Sequence, residues 1–249
     1  MIINSNLGGP GSVPAPRDGH LLAASLDVEW TKNYKIKNGN VPFCWSVTWL
    51  EISPGQPAPV EFGYTSLYVE DSVETQDLID AAEAEIALIT ATADVIIGHQ
   101  VSSDLAVLRN ASTRQLGHVE TLRDHWHERR EITTPLVIDS RYDVGDVLTG
   151  ASRRLVDVCG ELHLEVTQPE LARKSMTALH RDWLIDQDPE PRERITVLNL
   201  RHGLSAAYVA LHGGGLTSWA GTLNVNATLH AQLSDTFAWL DTATFRQLL

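Results

Sequence analysis

The chain has 249 residues, of which 43% are hydrophobic, so it can bury a large core and is not expected to be disordered. Its formal net charge of −13 excludes a broad basic surface that would bind nucleic acid by counterion release. Nucleic-acid chemistry inside an acidic pocket stays possible, because bound cations can supply the positive field there.

The cysteine content and the N-terminal segment indicate the cellular compartment in which the protein is expected. Cys44 and Cys159 are the only cysteines, which indicates a reducing environment without a disulfide framework. No apolar run reaches transmembrane length, and residues 1–19 lack the basic start and apolar block of a secretion signal. Their Gly, Pro and Ser content predicts a flexible lead-in to one domain over residues 20–249. We therefore expect a cytoplasmic protein without a membrane partner.

Three strands are predicted at the start of this domain. Leu21–Trp30 is an apolar run of strand length, Val41–Ile52 alternates aromatic and β-branched residues, and Tyr64–Glu70 is the third. Apolar residues at helical spacing over 75–92 predict a helix, and a short buried strand follows at Asp94–Gly98.

The second half of the chain alternates helices with one further strand, Pro135–Ser140. Ser103 is the expected N-cap of the helix that follows the strand Asp94–Gly98. The polar stretch 167–194 is expected to be a partly helical insertion. The predicted helices span 103–116, 142–148, 152–164 and 195–212. Three leading strands followed by alternating helices and strands predict an α/β domain with a mixed sheet. The residues after Gly221 yield no assignment.

Two carboxylates stand two residues apart in the first strand, at Asp27 and Glu29. Residues at this spacing point to one face of a strand, and two buried like charges are costly unless they share a cation. Such a pair arises about once by chance in a chain of this size, so a strand end facing water is the ordinary alternative.

Two further residues are candidates for the same site. Asp104 follows the strand that ends at Gly98 and falls in the first turn of a helix, where the helix dipole favours an acid in any protein. His202 lies on the long predicted helix, where a single histidine is most often an ordinary core or surface residue. Neither residue is informative alone.

Five segments, taken together, carry a family resemblance. In chain order they are Asp27-Val28-Glu29-Trp30-Thr31, Gly98-His99-Gln100 through Asp104, Val137–Ser140, Leu155–Leu164 and His202-Gly203 through Ala207. Their order and context resemble the successive motifs of the His-type branch of the DEDD 3′–5′ exonucleases. This family includes the proofreading subunits of bacterial polymerases and oligoribonuclease. The resemblance extends from Leu21 to Gly215.

The resemblance implies a ribonuclease-H-like mixed sheet and hydrolysis of phosphodiester bonds with two divalent cations, Mg²⁺ or Mn²⁺. It implies that Asp27 bridges the two ions, Glu29 holds one of them, Asp104 completes the set, and His202 is the general base. The implied partner is the 3′ end of single-stranded DNA or RNA. The residues that would contact this substrate are Trp30, Thr31, His99 and Gln100.

The match departs from the family at two positions. Gln100 replaces the usual Asn, and Ala207 stands where the family has its fourth metal-binding Asp. Alignment to the Tyr-type branch would put His202 at the acid position and Leu198 at the tyrosine position, which matches less well.

Three explanations for Ala207 are open: lost activity, a replacement acid, or an engineered substitution. Candidates for the replacement are His180, Asp182, Asp186 and Asp188, although a solvated polar face explains them as well. An acid restored at 207 is expected to rebuild the weaker metal site. The alternatives to an exonuclease are a non-catalytic module that binds nucleic acid or a protein, and an unrelated α/β protein with chance matches.

Overall fold

A six-stranded mixed sheet forms the centre of the protein. The computed structural model describes residues 1–32, 35–134, 136–172 and 174–249. The strands of the sheet are β1 (Ile2–Ser5), β2 (Leu21–Thr31), β3 (Val41–Ile52), β4 (Gly63–Tyr68), β5 (Val95–Gly98) and β6 (Val137–Asp139). Their order across the sheet is β1-β4-β3-β2-β5-β6.

Strand β2 is the central strand, and it joins two kinds of pairing. It is antiparallel to β3 and parallel to β5, while β3–β4 is antiparallel and β5–β6 is parallel. Strands β2, β3 and β4 are consecutive in the chain and joined by loops, whereas β5 and β6 are each preceded by helices. The predicted α/β class with a mixed sheet is confirmed, and this topology is consistent with a ribonuclease-H-like fold.

Helices cover both faces of the sheet. They are α1 (Thr75–Thr92), α2 (Val101–Ala111), α3 (Gly117–Glu128), α4 (Leu155–Glu161), α5 (Met176–Asp186), α6 (Pro189–Gly213), α7 (Val225–Leu233) and α8 (Ala243–Arg246). A small parallel pair, β7 (Leu164–Glu165) and β8 (Leu223–Asn224), lies apart from the main sheet. Across the described ranges, every helix is too short or too polar to cross a membrane.

The alternation of side chains along β2 divides the core in two. Leu22, Ala24 and Leu26 pack in one cluster with α1, α2 and α3, and Ala23 packs in the other with α4, α6 and α7. Because side chains alternate, the later residues on the second face are Ser25, Asp27 and Glu29. Polar side chains therefore take the place of apolar ones between α6 and the carboxyl-terminal part of β2.

Helix α6 runs antiparallel to β2 across this polar strip. It has 25 residues, most of them buried, which identifies it as the central helix of its layer. The hydroxyl of Ser25 donates to the carbonyl of Gly203 at 2.7 Å, and an added Cβ at Gly203 would lie 3.4 Å from the hydroxyl of Thr48. Gly203 therefore lies directly against β2 and β3, where an added Cβ would make an ordinary van der Waals contact.

Several predicted boundaries differ from the structure. Residues 1–19 were expected to be a flexible lead-in, but β1 pairs antiparallel with β4, with Ile2 opposite Tyr68. A four-residue edge strand is stabilised by a partner far along the chain and not by its own sequence, so local composition did not predict it. The residues after Gly221 form β8, α7 and α8.

The start of α2 and the region after β6 also require correction. Helix α2 begins at Val101 rather than after a cap at Ser103, because the Asp139 carboxylate accepts hydrogen bonds from the amides of Gln100 and Val101. The helix predicted over 142–148 is only a 3₁₀ turn at Gly145–Val147. Pro135, the predicted start of the next strand, lies outside the described residues.

The segment 167–194 is partly helical, as predicted. It contains α5 and the first turns of α6, which begins at Pro189 instead of Ile195. The side chain of Asp188 caps α6 by accepting from the amide of Glu190, and proline suits the first helical position because its missing N–H needs no partner there. Helix α3 was not predicted as a helix.

One buried histidine from this segment joins α5 to the sheet. His180 is 6% exposed, its ring stacks on Phe43 at a centroid distance of 4.0 Å, and its Nδ1 lies 3.0 Å from the hydroxyl of Tyr68. Burial lowers the pKa of His180 from 6.5 to about 4, since the charged ring would lose its hydration. The ring is therefore neutral in the folded protein at neutral pH.

We expect His180 to make the fold less stable at acidic pH. Below about pH 6.5 the unfolded chain protonates this histidine while the folded chain does not, so the free energy of unfolding falls as the pH drops towards about 4. One such proton contributes a slope of about 1.4 kcal/mol per pH unit. Urea denaturation from pH 7.5 to 4.5 measures the slope, which should be smaller in His180→Gln. Equal slopes in the two proteins would contradict the assignment.

Candidate functional site

The carboxyl end of β2 extends beyond its parallel neighbour. Strand β5 pairs with β2 only over Ala23–Ser25, so the following residues of β2 border a cleft instead of another strand. Asp27 and Glu29 lie there on the α6 side, 8% and 6% exposed. A β-bulge between Glu29 and Trp30 shifts the pairing with β3.

The cleft gathers most of the residues that the sequence nominated. It has a volume of about 230 Å³. Its lining consists of Asp27, Val28, Glu29, Trp30, His99, Gln100, Ser103, Asp104, Leu155 and His202. Ligand clefts at the carboxyl ends of parallel strands are common in α/β folds, because loops and helix starts converge there. Thr31 ends β2 outside the cleft, and its hydroxyl donates to the carbonyl of Val41.

His202 projects from α6 onto the two strand carboxylates. Its Nδ1 lies 3.1 Å from Glu29 Oε1 and 3.5 Å from Asp27 Oδ2. One ligand atom from each of the three residues falls within 4.8 Å of the other two. We call Asp27, Glu29 and His202 the three-residue cluster.

The charges of this cluster shift one another's protonation. Burial, followed by the charge of Asp27, raises the pKa of Glu29 to about 7, against the opposing effect of His202. Burial also raises the pKa of Asp27. Burial alone would lower the pKa of His202, but its bonds to the two carboxylates outweigh this and raise it to about 10. In the absence of a metal ion, the imidazolium is thus the cation that the carboxylates share.

Asn199 belongs to the site, although the sequence analysis missed it. This fully buried amide donates from Nδ2 to Asp27 Oδ2 at 2.6 Å, and its Oδ1 has no hydrogen-bond partner among the described residues. Asn199 precedes His202 by three residues on α6, a spacing that puts both side chains on one helix face. This three-residue spacing from His202 is the signal in the sequence that could have identified Asn199.

Gln168 was also missed, because it lies in the segment assigned to an insertion. Its side-chain amide is 3.0 Å from Nε2 of His202. Two residues further on, the Glu170 carboxylate forms two hydrogen bonds of 2.6 Å with the Arg201 guanidinium, and neither side chain has any exposure. This buried pair attaches the Gln168 segment to α6 beside His202. No local pattern in the sequence indicates it.

Asp104 reaches the cleft from α2. Its side chain is 3% exposed, and its buried Oδ2 has no hydrogen-bond partner in the part of the chain that the structure describes. Burial, then the charges of Asp27, Glu29 and Asp139, raise the pKa of Asp104 well above its usual range. Asp104 is not part of the three-residue cluster, so it faces the same cleft from further away.

The loop between β5 and α2 is fixed by close packing and by one carboxylate. A Cβ at Gly98 would lie 2.7 Å from a methyl carbon of Val101 and 3.2 Å from the carbonyl of Leu26, so only glycine fits without a shift. Gln100 has a left-handed φ of 72°, which the two backbone hydrogen bonds to Asp139 support. These constraints fix the start of α2 and hence the position of Asp104.

His99 is a neutral member of the cleft lining. Its Nδ1 lies 2.9 Å from the hydroxyl of Ser140. Burial, followed by the positive charge of Arg141, lowers the pKa of His99 to about 4. At neutral pH this imidazole offers hydrogen bonds to a ligand but no positive charge.

The donor atoms of the cleft fit divalent cations. Three ligand atoms converge, two of them from carboxylates that are costly to bury as a pair without positive charge. Asp104 and Asn199 each keep a buried oxygen that accepts no hydrogen bond from the residues described. Carboxylate and amide oxygens with one imidazole make a donor set that divalent metal ions accept.

Ala207 does not approach this donor set. Because α6 runs antiparallel to β2, Asn199 meets Asp27, Gly203 meets Ser25, and residue 207 lies about 7.5 Å further along the helix than His202. Ala207 is 1% exposed and belongs to the apolar cluster on that face of the sheet. The expectation that an acid at 207 would supply the missing ligand is corrected accordingly.

The acids considered as replacements for that ligand lie elsewhere and have structural contacts. Asp182 binds the ammonium of Lys174 at 2.7 Å, Asp188 caps α6, and Asp186 ends α5. His180 is buried against Phe43. The polar, structural interpretation of this segment therefore accounts for these residues.

Comparisons with known proteins give no family for the chain, since no family model matches it and no curated protein matches it. The resemblance to the exonucleases consequently depends on the motifs of the sequence alone. What the structure adds is the arrangement of those motifs around one cleft at the end of β2.

We expect Ala207→Asp to destabilise the protein and not to improve metal binding. A carboxylate at this position would be buried among apolar side chains without a partner, so the free energy of unfolding should fall by about 3 kcal/mol or more. Urea denaturation measures the loss. Ala207→Ser is the matched control, because a serine hydroxyl can bond to the helix backbone. An Ala207→Asp protein as stable as Ala207→Ser, with tighter Mn²⁺ binding, would contradict this placement.

Proposed function

We propose that this chain hydrolyses phosphodiester bonds at the 3′ end of single-stranded nucleic acid with the help of divalent cations. The observation that carries the proposal is the convergence of Asp27, Glu29 and His202 within 4.8 Å, in a cleft that Asp104 also lines. Structural acids are usually paired with Lys or Arg. Among the described residues, the close ion pairs of Asp27 and Glu29 are with His202, and Lys32 acts on Glu29 only as a nearby charge. The two carboxylates border a space open to a ligand.

The residues of the cleft have distinct parts in this proposal. Asp27 and Glu29 would hold a cation, and Asp104, which lies outside the three-residue cluster, is available to a second one. Bound divalent cations lower the pKa of an attacking water and offset charge on the phosphate. Asn199 holds the Asp27 carboxylate in place through its 2.6 Å hydrogen bond.

Action at a chain end is favoured by the resemblance of the motifs to the 3′–5′ exonucleases. The cleft of about 230 Å³ lies beside two further cavities that Trp30 also lines, so a single strand can extend from it.

Trp30 and the region around it suit the neighbouring nucleotides. The indole lines the cleft and also two adjoining cavities of about 580 and 220 Å³. Stacking of a base on an aromatic ring contributes about 1–3 kcal/mol and tolerates any base. Lys32 lines the larger cavity and supplies a positive charge for a phosphate. A single-stranded substrate exposes its bases for such stacking, whereas a duplex does not.

We expect the purified protein to shorten single-stranded oligonucleotides stepwise from the 3′ end in the presence of Mn²⁺, with EDTA stopping the reaction. The measurement is a gel of 5′-labelled DNA and RNA, which should give a ladder of labelled products. An oligonucleotide with a blocked 3′ terminus should resist. Asp27→Asn should lower the rate by about a hundredfold or more, since about 3 kcal/mol of transition-state stabilisation is lost with the charged ligand.

The matched control is Asp182→Asn, which removes an acid that pairs with Lys174 outside the cleft. Its rate should equal that of the unsubstituted protein. Absence of cleavage by a folded protein that still binds the oligonucleotides would overturn the enzymatic proposal in favour of a binding module. Cleavage that survives Asp27→Asn would mean that the activity arises elsewhere.

A further inference from the structure

The third donor of the three-residue cluster is a nitrogen atom. His202 Nδ1 lies 3.1 Å from Glu29 Oε1 and 3.5 Å from Asp27 Oδ2. Two neighbouring ligands of one ion, each bonded at about 2.1 Å, are about 3 Å apart. The nitrogen therefore occupies the position of a ligand beside the two carboxylate oxygens.

The other side of the ring is held by the protein. The side-chain amide nitrogen of Gln168 lies 3.0 Å from Nε2. A metal-binding histidine donates its second N–H to an acceptor, and the amide oxygen of Gln168 becomes that acceptor when the amide group is turned over. The buried Glu170–Arg201 pair fixes the Gln168 segment to α6 next to His202. The ring is thus oriented with Nδ1 towards the carboxylates and Nε2 towards the amide.

This orientation argues against a general-base role for His202. A base needs a nitrogen free to take a proton from water, within hydrogen-bond reach of that water. Here Nδ1 faces the two carboxylates and Nε2 faces Gln168. Nδ1 is turned towards the two carboxylates, where a shared cation would lie, and away from open solvent, so coordination is the role that this geometry supports.

We infer that His202 is a metal ligand through Nδ1, and that the two carboxylates and one imidazole select first-row transition-metal ions over Mg²⁺. The inference rests on the proposed function in taking Asp27 and Glu29 as metal ligands. Mg²⁺ favours oxygen donors and loses water reluctantly, whereas imidazole suits Zn²⁺, Co²⁺ and related ions, with Mn²⁺ accepting both donor types. One nitrogen among three protein ligands therefore shifts the preference towards Mn²⁺, Co²⁺ and Zn²⁺.

Pulsed electron paramagnetic resonance of the Mn²⁺-loaded protein tests the nitrogen ligand directly. We expect a ¹⁴N coupling typical of imidazole, which changes to ¹⁵N when the protein is made with ¹⁵N-histidine. The labelling needs no substitution, so it does not depend on a variant that folds. Competition between the two ions should give an affinity for Mn²⁺ at least about tenfold above that for Mg²⁺.

Two variants identify the histidine. His202→Gln should lose the coupling and most of the preference for Mn²⁺, whereas His99→Gln removes the other imidazole that lines the cleft and should keep both. Circular dichroism checks that each variant is folded. Mn²⁺ that binds in an Asp27-dependent way without nitrogen coupling would overturn this inference and leave the proposed function standing. No Asp27-dependent Mn²⁺ binding at all would overturn both.

Discussion

The repulsion between Asp27 and Glu29 is the constraint on which the rest of the site depends. Both carboxylates are buried on one face of the central strand, and a buried pair of like charges requires positive charge nearby. The protein meets this requirement with His202 from α6, whose pKa the carboxylates raise to about 10. A divalent cation would meet the same requirement with more charge, which makes the metal and the proton on His202 competitors for one place.

The surrounding structure serves to hold that arrangement. The hydroxyl of Ser25 on β2 donates to the carbonyl of Gly203 on α6, which fixes the helix in register against the strand. The buried Glu170–Arg201 pair ties a polar segment to the same helix. Such a pair is not strong evidence of added stability, since desolvation offsets much of its attraction. Its consequence here is positional, because it brings Gln168 to the ring of His202.

Asp139 holds the backbone in place on the other side of the cleft. Its carboxylate accepts from the amides of Gln100 and Val101 and from the indole N–H of Trp126, which joins the ends of β5 and β6 to the start of α2. From the sequence, Asp139 is recognised only as part of a connecting strand. Its hydrogen bonds explain why α2 begins before Ser103 and why Asp104 is buried at the cleft.

The sequence by itself determined the α/β class, the strands β2 to β6 and the candidate residues Asp27, Glu29, Asp104 and His202. Strand alternation, helical spacing and motif order are local properties, and they can be read from neighbouring residues. Only the tertiary structure decided that Asn199 and Gln168 join the site, that β1 completes the sheet, and that Ala207 lies in the apolar core. Each of these depends on how α6 and distant segments pack against β2, and contacts between residues far apart in the chain leave no local pattern.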